Sequence, residues 1–459
     1  MSNSIIWLHQ STVDYTYRVQ EPGRLCANIL DHFVGENSFK SSSFSQLTER
    51  LHNIQREGLL ADNRFNIRNE SKDEKAVVND LSRLRDFLDK QIKDPNNKSS
   101  QIGGNPAISA LRGHFLRVGG GGPRTNLPLS FFAGLVPASV RDQLNHQNLE
   151  DQKFPGFRRR HADAAFKVPV EIMSFPQTIS IEGTDHKLML VYGPGRALGE
   201  LQTVTDHFRG FVNRIVDALQ TPAPERVVVA VTTPYDTDEL SCLLELLELL
   251  RRELTDRLVI FVGTNAFTQE HAKSLDQQLL SQADIISMNR DEAKKLYSVR
   301  NNANGIADTS KSLAQKVREL PYRAIKVCHG SHGAILDLGC MPERIVTSSE
   351  FHENPADFLE ETLTLAVDGA TYAVATNAEL GREATAAMIR VYSRHVVSRE
   401  SELFRAAFLH TDKAAEPMPP GMISVASSEV QHQVSSITGA GAIFDSLFLS
   451  FLMRSSTPF

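Results

Sequence analysis

Val227-Val228-Val229-Ala230-Val231, an amphipathic segment around Leu243 to Leu250, Leu258-Val259-Ile260-Phe261-Val262 and then Ile285-Ile286-Ser287-Met288 follow one another in the second half of the chain. Short unbroken apolar runs alternating with segments of helical period mean strands buried on both faces, hence a mostly parallel sheet covered by helices on either side. The alternation extends back to a helix bearing Phe208, Phe211, Val212, Ile215, Val216 and Leu219. It extends forward through Ala324-Ile325-Lys326-Val327 to a final helix after Gly441. Nearer the N-terminus, Ser4-Ile5-Ile6-Trp7-Leu8 reads as a buried strand whose end delivers the polar run His9 to Asp14, and Leu129 to Gly134 reads as another. In such sheets ligands bind outside the carboxyl ends of the strands, and the polar and glycine-rich clusters of this chain fall there.

Two stretches break the pattern. From about Glu21 to Ser100 the chain is charged and helix-like, with a serine-rich patch at Ser38 to Ser45 and a breaker at Pro95 to Ser100, which reads as a helical insertion ahead of the main fold. Val168 to Met173, Thr178 to Ile181 and Lys187 to Tyr192 are β-rich, the last two joined through Gly183-Thr184-Asp185-His186. They predict a small antiparallel sheet apart from the main one. The expected organisation is a large α/β domain from 1–20, 101–150 and 205–459, the helical insertion at 21–100, and the β-rich unit at 151–204.

The 459 residues, 41% of them hydrophobic, are enough to bury a large core, and a formal net charge of −6 with mixed signs leaves no basic stripe to neutralise a nucleic-acid backbone. Nucleic acid is therefore not an expected partner. The N-terminus has no basic stretch followed by a long apolar one, and no apolar run spans a bilayer, so membrane insertion is not expected either. Cys26, Cys242, Cys328 and Cys340 lack the spacing of paired metal ligands. A reducing cytoplasm suits them.

Three clusters carry the chemistry. Thr438-Gly439-Ala440-Gly441-Ala442-Ile443-Phe444-Asp445 opens the last helix. Glycines there let backbone N–H groups converge on an anion that the helix dipole also favours, although small residues are equally used for helix packing. Asn289-Arg290-Asp291-Glu292 follows a strand and starts a helix, as either a site or an ordinary N-cap with an acidic first turn. His329-Gly330-Ser331-His332-Gly333 follows another strand and suits close approach of a flat or phosphorylated ligand; a third ligand that would make the two histidines a metal site is not evident. Arg196, in Tyr192-Gly193-Pro194-Gly195-Arg196, and Arg158-Arg159-Arg160-His161 are candidate phosphate contacts or solvent-facing basics. Gly119 to Gly122 lacks the spaced glycines of a dinucleotide fingerprint.

The order of these clusters, with Thr12-Val13-Asp14 near the first strand and Gly103-Gly104-Asn105-Pro106-Ala107 ahead of a helix, resembles the ribokinase-like (PfkB-type) sugar kinases, and within them the ADP-dependent glucokinase and phosphofructokinase branch. The helix-like stretch Ala366 to Thr376 is similar too. The resemblance spans most of Ser4 to Leu452 and is weak between about 21 and 100. It implies a three-layer α/β domain with the β-rich unit as a lid, and a nucleotide, ADP or ATP, laid near Gly330, Gly333 and Gly439. Asp14, Gly104, Asn105 and Arg196 would then meet the sugar, His329 the nucleotide, and Asn289 with Glu292 the shell of a magnesium ion. Phosphoryl transfer to a hexose or hexose phosphate hydroxyl follows, with the amides of Gly439, Ala440 and Gly441 stabilising the developing charge.

The departures from the family pattern fall on the chemistry itself. The family's proton-accepting Asp, fourth in Gly-x-Gly-Asp, is Ala442 here, and its magnesium-side His-x-Glu aligns with Phe261-Val262-Gly263. Asp445, one turn further on, is the candidate surrogate if its side chain points back to the mouth of the helix. Two readings stay open: a working carbohydrate kinase, or a catalytically silent relative that binds sugar, nucleotide or a protein partner as sensor or scaffold.

Overall fold

The computed structural model describes residues 3–10, 12–58, 63–68, 74–103, 105–118, 126–135, 177–183, 187–193, 225–233, 237–264, 278–301, 311–330, 333–339, 342–375, 421–426 and 440–455. In chain order these form β1 (Ser4–Gln10), β2 (Thr12–Arg18), α1 (Pro22–His32), α2 (Ser42–Glu57), β3 (Asn63–Arg68), α3 (Glu74–Gln91), β4 (Lys98–Gly103), α4 (Asn105–Val118) and β5 (Leu129–Leu135). There follow β6 (Gln177–Glu182), β7 (Lys187–Gly193), β8 (Val227–Thr232), α5 (Thr237–Leu254), β9 (Leu258–Gly263), β10 (Ile285–Asn289), α6 (Arg290–Asn301) and α7 (Leu313–Glu319). The last are β11 (Ile325–Gly330), β12 (Gly333–Asp337), α8 (Pro355–Ala375), β13 (Met422–Ala426) and α9 (Ala440–Leu452). The expected strand at Val168 to Met173, the helix at Phe208 to Leu219, and the clusters at Gly119 to Gly122 and Arg158 to His161 lie outside the described residues.

Eight strands form the main sheet in the order β13-β12-β11-β10-β9-β8-β1-β5. The pairs from β11 through to β5 are parallel, while β12 and β13 add an antiparallel edge. Successive side chains of β8 go to opposite faces: Val228 and Ala230 join α4, α8 and α9 in one core, Val227, Val229 and Val231 join α5, α6 and α7 in the other. Burial on both faces is why these strands read as unbroken apolar runs. The result is the mostly parallel sheet with helices on both sides that the alternation predicts.

The second sheet differs from expectation. It has five strands in the order β3-β7-β6-β2-β4, of which β3–β7 and β6–β2 are parallel and the other two pairs antiparallel. Helices α1, α2 and α3 pack on one face of it through a single core containing Leu25, Phe44, Leu84, Ile179, Leu190 and Tyr192. The helical stretch and the β-rich stretch, separate in the sequence, thus build one unit. They need each other, because a sheet with one bare apolar face and three amphipathic helices without a partner are each unstable alone. The opposite face alternates accordingly and carries Asp14, Thr16, Thr178, Ser180, Glu182 and Lys187, all buried. Asp14 lies inside strand β2, paired with Thr178 and Gln101, rather than at the end of β1.

Helix α9 is the axis of the main domain. Every residue from Ala442 to Leu452 is buried, as expected of a helix apolar all round. Its start is clamped to α4 by reciprocal bonds: Ser109 Oγ donates to the Ala442 carbonyl and Ser446 Oγ to the Ser109 carbonyl, both at 2.7 Å. Past its end, buried Arg454 pairs with Glu350 and Glu361 and lies 3.9 Å over the Phe358 ring.

Helix α4 approaches β5 so closely that a Cβ on Gly113 would lie 2.6 Å from Ser130 Oγ. That hydroxyl accepts from Trp7 Nε1 and donates to the Ala110 carbonyl, so it is not free to turn aside. Gly113→Ala is therefore expected to destabilise by about 1–3 kcal/mol through overpacking, read as a lowered urea midpoint at unchanged slope. At the other edge, Lys326 and its cross-strand partner Asp337 form a buried ion pair at 2.8 Å, and Lys326 Nζ also donates to the carbonyls of Arg318 and Leu320. Asp337→Ala leaves an ammonium buried without its counter-charge. About 2–3 kcal/mol of loss is expected, below the usual range for a broken buried pair because the two carbonyls remain; thermal unfolding measures it.

Candidate functional site

The carboxyl ends of β9, β10 and β11 meet the first turns of α9 and α6. The convergence has a local cause in each element. Ser287 interrupts the apolar run of β10, Thr264 follows β9, His329 sits next to the end of β11, and the glycine-containing start of α9 lets its backbone come close. A Cβ on Gly441 would stand 3.2 Å from His329 Cε1, so a side chain there would push the imidazole away. Ala440 and Gly441 form the start of α9 as expected, whereas Gly439 lies outside the described residues.

Ala442 is 0% exposed and its methyl packs in the core shared by α4, α8 and α9. One turn on, Asp445 is 4% exposed and turns toward the sheet edge. Its Oδ1 accepts a short hydrogen bond from Ser287 Oγ and stands 3.9 Å from His329 Nε2. Its Oδ2 fills the space beside Gly263, where a Cβ would lie only 3.2 Å away. The absence of a side chain at 263 is thus what admits the Asp445 carboxylate. Burial pushes that carboxyl up from 3.8 to about 7; the Ser287 hydroxyl works in the opposite direction, and the charge of Glu292 adds to the rise.

The His329 ring packs against Phe444, the neighbour of Asp445, with ring centroids 4.6 Å apart and planes tilted by 31°. Burial lowers its pKa from 6.5 to about 4, so the ring is neutral near pH 7. Gly330 and Gly333 are not a loop after a strand but the closing pair of the β11–β12 hairpin, with Gly333 at a positive φ of 135°. His332 lies outside the described residues.

Asn289 and Glu292 form a reciprocal cap at the start of α6. Asn289 Oδ1 accepts from the N–H groups of Asp291 and Glu292, both at 2.9 Å, and Glu292 Oε2 accepts from the Asn289 N–H at 2.9 Å. The same Glu292 oxygen accepts from Thr264 Oγ1 at 2.8 Å. Among the described residues no group of three or more His, Cys, Asp or Glu side chains converges as a metal centre.

The expected sugar residues belong to the other sheet and its junction. Thr12 Oγ1 donates to Asp14 Oδ1 at 2.6 Å. Burial raises the Asp14 carboxyl to about 6, against the hydroxyls of Thr12 and Thr178, with Glu182 raising it and Lys187 lowering it. Strand β4 pairs Gly103 with Thr12 and leads directly to Asn105 at the start of α4. Gly104 and Arg196 lie outside the described residues. Ser180 Oγ, on the same face as Asp14, and Gln177 Oε1 are buried without a hydrogen-bond partner among the described residues. Sequence reasoning misses Ser287, Thr264 and Ser109. The interruption of Ile285-Ile286-Met288 by a serine is the signal that was present for the first of these.

With the geometry described, solved structures place the fold. No family model and no curated protein matches the sequence. A phosphofructokinase from Pyrococcus horikoshii OT3, solved with AMP, superposes with a TM-score of 0.55 at 12% identity, over 98% of this chain and 97% of its own. The chain has the fold of the ADP-dependent sugar kinases. The reconstructed last common ancestor of ADP-dependent phosphofructokinases from Methanosarcinales agrees, with a TM-score of 0.51 at 12% identity over 100% and 95% of the two chains. So does an ADP-dependent kinase in complex with fructose-6-phosphate and ADPβS, with a TM-score of 0.52 at 11% identity over 98% and 94%. The ADP-dependent kinase fold therefore accounts for both sheets of this chain. Among the described residues no helix is long and apolar enough to cross a membrane.

Proposed function

We propose that this chain is a carbohydrate kinase that binds a nucleotide, ADP in preference to ATP, and moves its terminal phosphoryl group to a hydroxyl of a hexose or hexose phosphate. The nucleotide lies across His329, Gly330 and Gly333 and the amides at Gly439, Ala440 and Gly441. The sugar meets Asp14, Gly104, Asn105 and Arg196. The five-stranded sheet with α1, α2 and α3 is the lid over the large α/β domain, and the cytoplasm is its setting. The observation that carries the reading is the start of α9: a glycine-containing helix N-terminus lies against the neutral His329 imidazole at the carboxyl ends of the strands. The polar face of the lid sheet supports the sugar side, because Ser180, among the described residues, is short of a partner that a ligand hydroxyl supplies.

The fit to magnesium is partial. Asn289 spends its side-chain oxygen on the helix cap, whereas Glu292 faces Thr264 at the strand ends and suits ordering water around an ion carried in on the phosphates. Such an ion neutralises charge on the transferring phosphoryl group. Backbone amides stabilise the same charge, and the lid excludes water from it.

A second reading, binding without turnover, is favoured by one observation: Ala442 is packed in the core and Asp445 is turned away from the helix mouth, so neither carries a carboxylate to the sugar hydroxyl. Isothermal titration with ADP, ATP and AMP in magnesium, with and without glucose or fructose 6-phosphate, followed by a coupled assay on each pair that binds, separates the two. Binding with turnover supports the kinase. Binding alone supports the silent relative, and no nucleotide binding removes the kinase-derived reading of these loops.

A further inference from the structure

We infer that the Ser180 hydroxyl is a further sugar contact in this chain, bonding a hydroxyl at the end of the hexose ring remote from the transferring phosphoryl group. The inference rests on the reading above, in which the sugar lies against the polar face of the five-stranded sheet, and it extends that site by a residue that helps select which hexose fits.

Three observations carry it. First, Ser180 is 0% exposed and its Oγ has no hydrogen-bond partner among the described residues. Its cross-strand neighbour on β7, Met189, offers only a weakly accepting thioether, and Thr16 stands opposite it on β2. A buried hydroxyl left in this state costs free energy, and in native structures such a group is completed by a ligand or an ordered water. Second, Ile179 and Ile181, its neighbours along β6, join the core with α1, α2 and α3, so Ser180 faces the other way, together with Asp14, Thr16 and Thr178. Third, the spacing suits one sugar ring. Thr178 lies opposite Asp14, and Ser180 is two residues further along β6. With strands about 4.8 Å apart and a rise of about 3.3 Å per residue, the Asp14 and Ser180 backbone positions are about 8 Å apart. Over that span two side chains reach hydroxyls on opposite sides of a single hexose ring.

The same face runs back to the phosphate side. Asp14 pairs with Gln101, and β4 continues through Gly103 to Asn105 at the start of α4. Ser109 of α4 bonds to Ala442 and Ser446, and a Cβ on Gly113, one turn on, would lie 3.4 Å from Ser446 Oγ. Helices α4 and α9 therefore run parallel, with their N-termini side by side. Asp14 is nearer that end, and Ser180 is at the other end of the ring. Thr16 and Met189, which flank Ser180, carry no charge, so the group it meets is a hydroxyl. The sugar reaches it when this face opens, and the face then closes over it, as lids over active sites do.

The native chain and Ser180→Ala are titrated with glucose, with fructose 6-phosphate and with the single-deoxy derivatives of each, AMP and magnesium being present so that no phosphoryl transfer competes. The expected result is binding of the parent sugar about tenfold weaker in Ser180→Ala. One deoxy derivative is expected to bind the native chain more weakly by a similar factor and to bind both chains alike, which identifies the hydroxyl that Ser180 holds. AMP affinity stays native. Without sugar, Ser180→Ala unfolds at the native temperature or above it, because the variant loses an unsatisfied group rather than a bond. Native sugar affinity in the variant overturns the inference. So does a loss equal for the parent sugar and every deoxy derivative, or a lowered unfolding temperature, either of which would make the role of Ser180 structural. A native chain that binds neither sugar overturns the sugar-binding reading as well; a native chain that binds one of them while Ser180→Ala is indifferent overturns this inference alone.

Discussion

Asp445→Asn unfolds at a higher temperature than the native chain at pH 8, and the difference vanishes near pH 4. The cause is the carboxyl whose value rises from 3.8 to about 7 on folding. Below both values the group is protonated in the folded and unfolded chains and contributes nothing. Between them the folded chain holds a proton that the unfolded chain has released, so stability falls as pH rises through this window and the full cost is present above about pH 7. A change of this size is worth about 4 kcal/mol. Asparagine keeps the shape of the protonated acid and an oxygen for Ser287, and it carries no charge to desolvate. Asp14, raised to about 6, contributes in the same direction over its own window, while His329, lowered from 6.5 to about 4, contributes stability that grows with pH between those values. Both are common to the two proteins, so the comparison isolates Asp445. Thermal unfolding of the pair from pH 4 to pH 8 measures it, and a pH-independent difference would remove the assignment.

Asp80→Ala is expected to cost about 4 kcal/mol, felt first in the helical side of the smaller unit. Asp80 is 0% exposed, and one of its oxygens accepts from the N–H groups of Lys40 and Ser41, both at 2.8 Å. The other pairs with Arg83 at 3.0 Å, which also holds the carbonyls of Asn37 and Ser38. Ser41 is in turn the N-cap of α2. Removing the carboxylate leaves two backbone donors unsatisfied in the turn that aims α2 at α3, each worth about 1–3 kcal/mol. The measurement is the urea midpoint. Asp80→Asn, which retains one acceptor, should fall between the variant and the native chain. Equal stability of all three would show that water takes the place of the carboxylate.

The main sheet is legible in the sequence because burial on both faces leaves a mark that needs no partner to read: Val227 to Thr232 and Leu258 to Gly263 are unbroken apolar runs. Strand β2 has no such mark. Thr12-Val13-Asp14-Tyr15 alternates and follows a polar run, and a single residue separates it from β1, so it reads as the end of one strand when it is the start of another in a different sheet. The edge strands Asn63–Arg68 and Lys98–Gly103 are polar and acquire strand form from their neighbours, which no local pattern records. At the site, the start of the last helix and the Asn289 to Glu292 pair stand out by spacing. The direction of Asp445 does not, because it depends on the missing side chain of Gly263, a residue remote in sequence that only the fold brings alongside.

Phosphorus NMR of the purified chain with ADP, magnesium and either glucose or fructose 6-phosphate follows donor and product in one tube. The expected result is growth of an AMP resonance together with a new sugar phosphate resonance, dependent on the sugar. ADP that binds but persists unchanged with every hexose and hexose phosphate tried would contradict it, and would leave the chain a nucleotide-binding protein on a kinase fold.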